Sequence, residues 1–134
     1  MTAQRLRMDI ISDNIANINT TRTEDGGPYR RKIPVFQEND ISPFKDIINN
    51  KLNDNSAAQG VKVSAIKEDD SPFKMIYNPG HPDANQDGYV AKPNVDLTSE
   101  MVDMISASRA YEANVTALNT AKTMAMRALE IGRG

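Results

Sequence analysis

A run of 34 residues, from Thr98 to Ile131, contains neither proline nor glycine. The residues that most often break a helix are absent, and Ala, Met, Leu, Glu and Arg fill many of the positions. The run therefore predicts one continuous helix. At about 1.5 Å per residue it would be about 50 Å long, more than the diameter of a compact domain of this size. Thr98 or Ser99 is the expected cap of its first free amides, Glu100 suits the positive end of its dipole, and Gly132 is the expected stop.

The pattern on this helix is as informative as its length. One row runs Leu97, Met101, Met104, Ser108, Tyr111, Val115, Leu118, Lys122, Ala125 and Leu129 in alternating steps of four and three, the spacing of a heptad seam. A second row runs Ala107, Ala110, Asn114, Ala117, Ala121, Met124, Ala128 and Ile131. It is mostly alanine, so a neighbouring backbone can come close. A helix in an ordinary bundle would fit the first row alone. A helix packed on several sides, the outer ones by neighbouring subunits, fits both.

Residues 1–19 predict a second, shorter helix. Met8, Ile11, Ile15 and Ile18 form one row, and Ala3, Leu6 and Ile10 a parallel one, together a wide apolar face. An isolated helix of this length is marginal in water and at about 28 Å covers only part of its longer counterpart. The two termini are therefore expected to pair, with other chains completing their joint surface. The polar run Asn14-Ile15-Ala16-Asn17-Ile18-Asn19-Thr20-Thr21 would end the first helix, its amides and hydroxyls bonding the free groups of the exit turn.

All seven prolines lie between the helices, within residues 20–97. Strand-like runs occupy 29–36, 60–67 and 73–78. Val61, Val63 and Ala65 alternate with Lys62 and Ser64, the period of a half-buried strand, while Pro34 suggests an edge position or a strand end. A short helix is expected around 43–52, inside a mobile loop near 39–59 rich in Asn and Ser. The expected fold class is α+β. The N- and C-terminal helices pair as an antiparallel, coiled-coil-like domain (1–22 plus 96–134), with a β-rich middle domain (23–95) inserted between them.

Composition narrows the function. Apolar residues make up 39%, with 3 Phe, 4 Tyr and no Trp, against about 45–50% in typical globular chains, so a self-sufficient core would be lean. A net charge of −2 gives no general attraction to nucleic acid or an anionic membrane. Without cysteine, disulfides, thiolate zinc sites and cysteine nucleophiles are excluded. The N-terminus has no apolar stretch of signal-peptide length, and no window approaches the ~18 apolar residues of a membrane span.

No motif reads as an active site, so no enzyme and no cofactor is expected. Asp83, Asn85, Asp87 and Gly88 match the opening of a calcium loop, but its twelfth position is Asn94, where a bidentate glutamate belongs. The competing reading is an Asx-rich turn with Gly88 at positive φ. A calcium-responsive module built on residues 83–94 is thus the alternative to a structural role. His81 is the single histidine, with no second nitrogen ligand for zinc. Tyr29-Arg30-Arg31-Lys32 reads as solvated surface, and Glu24-Asp25-Gly26-Gly27 as a turn.

The segment DIISDNIANINTT followed by GGPYRRKIPVF resembles the N-terminal signature of flagellar rod and hook axial proteins. Their shared helix end has the form A-N-x-x-T, matched here by Ala16, Asn17 and Thr20, with Asn14 just before. The blocks YNPGHPDAN, GYV and PNVD, and NVDLTSEMVDMISASRAYEAN, are similar to the proximal-rod branch of that family. Outside residues 39–59 the resemblance covers nearly the whole chain.

The resemblance implies a structural subunit of the rod of the bacterial flagellar basal body. Terminal helices would line a central channel, with a β-rich domain outside. Implied partners are the rod proteins FlgB, FlgF and FlgG, the FliE adaptor and the flagellar type III export apparatus, with export through the latter needing no cleaved signal. The implied site is the rod spanning the periplasm, without nucleic acid or direct membrane insertion. Family members carry further residues before the segment matching Thr2-Ala3-Gln4-Arg5-Leu6-Arg7, so the resemblance implies either a start that is truncated or misassigned here or a first helix that is short. Carried onto the two rows, it implies helix pairing by Leu6, Ile10, Ile11, Ile15, Ile18, Met104, Tyr111, Val115, Leu118 and Leu129. Neighbouring subunits would contact Ala107, Ala110, Ala117, Ala121 and Ala128.

Overall fold

The computed structural model describes residues 1–24, 26–38 and 60–132. The short helix and mobile loop expected within 39–59 lie outside the described residues. The elements are α1 (Thr2–Ala16), β1 (Lys32–Glu38), β2 (Val61–Glu68), β3 (Lys74–Tyr77), β4 (Tyr89–Lys92) and α2 (Leu97–Gly132). Helices at both ends with a small β region between them make the chain α+β.

Helix α1 stops three residues short of its expected end. Its C-cap is Asn17, whose backbone N–H and Nδ2 both donate to the Asp13 carbonyl, at 3.1 and 2.9 Å. Thr20 Oγ1 then donates to Asn17 Oδ1 at 3.1 Å, and Thr20 N–H to the Asn17 carbonyl at 3.0 Å. The asparagine and the threonine thus close the exit turn by the local bonding that makes these residues poor helix interiors.

Helix α2 starts one residue earlier than expected, and its cap is neither Thr98 nor Ser99. Asp96 Oδ2 accepts from the Ser99 N–H at 3.2 Å and from Ser99 Oγ at 2.9 Å. Asp96 is therefore the N-cap residue, satisfying the amide at the third helical position.

Among the described residues the strands form two separate antiparallel pairs, β1 with β2 and β3 with β4. In the first, Pro34 sits opposite Ile66 and the register shifts between Val35 and Phe36. A two-stranded ladder has a free edge on each strand, which accommodates a residue with no N–H to donate. The half-buried reading of β2 is not met: only Val63 is partly covered, and Val61 and Ile66 are exposed. Helix α1 lies against this strand pair but leaves most of β2 exposed.

The pairing of β3 with β4 aligns Tyr77 with Tyr89, their rings edge to face with centroids 5.3 Å apart. Strand β4 lies where a turn alone was expected, but the turn exists too. Gly88 takes φ +79°, and a Cβ there would fall 2.9 Å from Tyr77 Cε2.

The buried apolar residues are few: Ile10 and Ile11 on α1, Tyr29, Val90, Val95, and Ala107 on α2. Ile10, Ile11 and Ala107 belong to the two helices that pack together, while Val90 lies on β4. Among the described residues, no helix is long and apolar enough to cross a membrane.

Candidate functional site

Two features stand out: a buried polar cluster at the helix junction, and an uncovered second half of α2. The cluster is built around Asn14 and Glu100, both essentially without solvent exposure. Asn14 Nδ2 donates to the Lys32 carbonyl at 2.9 Å and to Glu100 Oε2 at 3.2 Å. Asn14 Oδ1 accepts from the Lys32 N–H at 2.9 Å and from the Tyr29 hydroxyl at 3.0 Å. Both amide hydrogens and both oxygen lone pairs are thus used, the full capacity of the side chain.

Glu100 is 0% exposed, a position a carboxylate tolerates only with charge and hydrogen-bond partners. Arg31 Nε donates to its Oε1, so the two carboxylate oxygens have separate donors. The Arg31 guanidinium also lies 3.7 Å from Asp103 Oδ2 and 3.8 Å from Asp69 Oδ2. Asp103 in turn accepts from Arg7 Nη2 at 2.7 Å. The Arg31 N–H donates to Asn94 Oδ1 at 2.9 Å, and Asn94 Nδ2 donates to the carbonyls of Asp69 and Ser71.

One connected network therefore joins α1, the segment leading into β1, the segment after β2, the link from β4 to α2, and the first turns of α2. Burial pushes the Tyr29 phenol above its ordinary range, helped by the nearby charges of Asp13, Glu100 and Glu68. The neutral hydroxyl that donates to Asn14 is thereby held in place.

Several sequence expectations fall elsewhere. Ile10 and Ile11 are buried, and Leu6, Ile15, Ile18, Met104, Tyr111 and Val115 are partly covered. Leu118 and Leu129, expected to pair with the first helix, are 60% and 70% exposed. The reason is length: 15 residues of α1 reach about 22 Å, whereas 36 residues of α2 reach about 54 Å. Ala107, assigned to the outward alanine row, is 0% exposed within the single chain. It lies two turns beyond Glu100, on the face that receives α1. Ala110 is partly covered, while Ala117, Ala121 and Ala128 are exposed.

Arg31 belongs to the cluster rather than to a solvated basic run. Asn14, read as part of a helix end, is its centre, and Glu100, read as a dipole partner, is its buried charge. One signal pointed there: Glu100 stands four residues before Met104, an acid in phase with Met104, Ala107 and Tyr111. The row had instead been started at Leu97 and Met101, which are exposed.

Two of the candidate oxygens of the 83–94 loop are already engaged. Asn85 Oδ1 accepts from the N–H groups of Asp87 and Tyr89 at 3.0 and 2.8 Å, and Asp83 Oδ2 accepts from Thr21 Oγ1 at 2.8 Å. This is the geometry of an Asx turn. Among the described residues no three His, Asp or Glu side chains are grouped to hold a metal.

Comparison with known proteins matches both ends of the chain. Residues 1–22 match the family described as flagella basal body rod protein, and residues 86–131 the C-terminal family of flagellar basal body rod FlgEFG proteins. The flagellar basal-body rod protein FlgC of Bacillus subtilis (strain 168) is 52% identical, over 99% of this chain and 91% of its own length. FlgC of Borreliella burgdorferi is 52% identical over 100% and 91%. FlgC of Escherichia coli O6:H1 is 42% identical over 99% and 90%. The exposed second half of α2 and the locked junction before it are thus features of a flagellar rod protein, and the chain belongs to the FlgC family of flagellar basal-body rod proteins.

Proposed function

We propose that the chain builds the proximal rod by packing its terminal helices against those of neighbouring subunits. The carrying observation is the second half of α2. Leu118, Met124, Leu129 and Ile131 are exposed there, and no described residue of the same chain covers them. Two apolar rows exposed side by side on one helix are the kind of surface that marks a protein–protein contact. Leu118, Leu129, Ala117, Ala121 and Ala128 are its contact residues, with Ala110 at its near border. The small alanines admit a neighbouring helix at close range.

In this reading residues 1–22 and 96–134 form the helical rod domain and 23–95 the outer domain. Leu6, Ile10, Ile11 and Ile15 pair with Met104, Ala107, Tyr111 and Val115, with the two helices antiparallel. That sense is supported by the order of the bonds: Asn14 reaches Glu100, while Arg7, two turns earlier, reaches Asp103 further along α2. FlgB, FlgF, FlgG and the FliE adaptor are the proposed neighbours. Delivery is by the flagellar type III export apparatus without a cleaved signal, into a rod crossing the periplasm. There the helices line the export channel and carry motor torque, and motility depends on them.

The test is Leu118→Asp as the sole copy in a motile cell. Expected are an unchanged thermal melt of the purified chain and loss of rod assembly and swimming. Normal swimming would sink the proposal.

A further inference from the structure

The apolar contact between α1 and α2 is nearly self-similar along α2. Met104, Ala107, Ala110 and Tyr111 lie on the covered face. One heptad onward stand Tyr111, Asn114, Ala117 and Leu118, which repeat the order of large and small residues except that Asn114 replaces the fully buried Ala107. Apart from the polar Asn114, a shift of α1 by seven residues would bury much the same apolar surface, and apolar burial is non-directional. Something other than the apolar contact has to choose between the two positions.

Two acids break the repeat. The heptad equivalents of Glu100 and Asp103 are Ala107 and Ala110. In the displaced position Asn14 would turn its amide donor onto a methyl group, and Arg7 would lose the carboxylate it holds at 2.7 Å. Buried donors without partners are costly, whereas the same donors on Glu100 and Asp103 are satisfied. Arg31 adds to the discrimination, because its neighbour Lys32 is bonded to Asn14 through both N–H and carbonyl. A polar residue at a single seam position is a known device for fixing the register of paired helices.

We infer that Glu100 and Asp103 select the register of α1 on α2, acting as specificity-determining residues through Asn14 and Arg7. The choice sets where the covered part of α2 ends, and so how much of the helix is left for other subunits. Only this last consequence rests on the assembly reading. The register itself is tested in the isolated chain, so it can fail while that reading stands.

The chain contains no cysteine, so Ser12→Cys and Thr116→Cys, both at exposed positions, take spin labels at those two sites alone. Electron–electron double resonance on the full chain is expected to give one narrow distance. Glu100→Ala with Asp103→Ala in an Asn114→Ala background, which makes the seam repeat closely, is expected to keep helicity and add a second distance displaced by about 10 Å, one heptad. A cluster that only stabilised the fold would lower the melting temperature without adding that distance. If the alanine pair fails to fold, Glu100→Gln with Asp103→Asn in the same background decides. This pair keeps size and removes charge, and a smaller second population is expected. A single wild-type distance in the folded variants overturns the inference.

Discussion

Asn14 and Glu100 are 86 positions apart in sequence and meet through one 3.2 Å hydrogen bond in the buried interior. The remaining bonds of Asn14 hold the backbone of Lys32 and the hydroxyl of Tyr29, so removing this side chain strands groups from other segments. Asn14→Ala is expected to destabilise the chain by about 3 kcal/mol, given about 1–3 kcal/mol for each buried group left unsatisfied. Asn14→Asp keeps the two acceptor bonds but sets a second carboxylate against Glu100, and is expected to be at least as damaging at neutral pH. Urea unfolding followed by circular dichroism measures both. A loss under half a kilocalorie for the alanine, the size of an ordinary surface change, would show that the cluster is not buried as described.

The alanines of α2 should divide into two groups. Ala107→Leu forces extra volume into a closed contact and is expected to cost about 1–3 kcal/mol in the isolated chain. Ala117→Leu, at an exposed position, is expected to leave the isolated chain within about 0.5 kcal/mol of the parent while impairing motility. Melting temperatures paired with swimming assays separate the two. Equal melting losses would contradict the difference in burial.

Gly88 tests the β3–β4 turn. An alanine there must adopt φ +79° with its Cβ 2.9 Å from Tyr77 Cε2 and 3.3 Å from Pro79 Cβ. Gly26 has a similar φ of +87° but nothing within 4 Å. Gly26→Ala is expected to cost about 1 kcal/mol, from backbone conformation alone, and Gly88→Ala clearly more, because it adds the clash. Thermal unfolding of the two variants side by side gives the comparison, and the reverse order would refute the packing at Tyr77.

Stability should fall at both ends of the pH scale for assignable reasons. Hydrogen bonds from Ser99 hold the Asp96 carboxyl below the ordinary aspartate value of 3.8, and bonds from Ser71, with Arg31 nearby, do the same for Asp69. The unfolded chain then takes up protons first. This contribution is present at neutral pH and is lost as pH falls below about 3.8. Tyr29 works in the opposite sense. Its raised pKa means the unfolded phenol ionises first, so its contribution holds below pH 10.0 and is lost above it. Asp96→Asn, which still caps, should flatten the acid limb, and Tyr29→Phe the alkaline limb, in denaturation followed against pH. An unchanged acid limb in Asp96→Asn would remove Asp96 from the account.

The helices were legible because a 3.6-residue period and the absence of proline act locally. The strands β1, β2 and β3 were legible as strand-like runs, though not their pairing, and Gly88 from its turn chemistry. The burial of β2 was misjudged because alternation reports which face could be buried, not whether anything covers it. The centre of the junction was missed for a different reason. Asn14, Arg31 and Glu100 are polar residues whose partners lie 69 and 86 positions away, and polar side chains carry no periodic signal of burial. Asp96 as the cap was missed because Thr98 and Ser99 offered equally good local chemistry two and three residues later. The length mismatch between α1 and α2 could be read from the sequence, and Leu118 and Leu129 are exposed on the part of α2 beyond α1.

That mismatch gives the two halves of α2 different thermodynamics. The first half is held by contacts within its own chain, so its stability is independent of concentration. The second half has no partner among the described residues of its chain; under the proposed assembly its partners are other molecules, so mass action would govern it and its ordering would rise with the concentration of subunits. In such an assembly a single uninterrupted helix would begin as an intramolecular equilibrium and end as an intermolecular one.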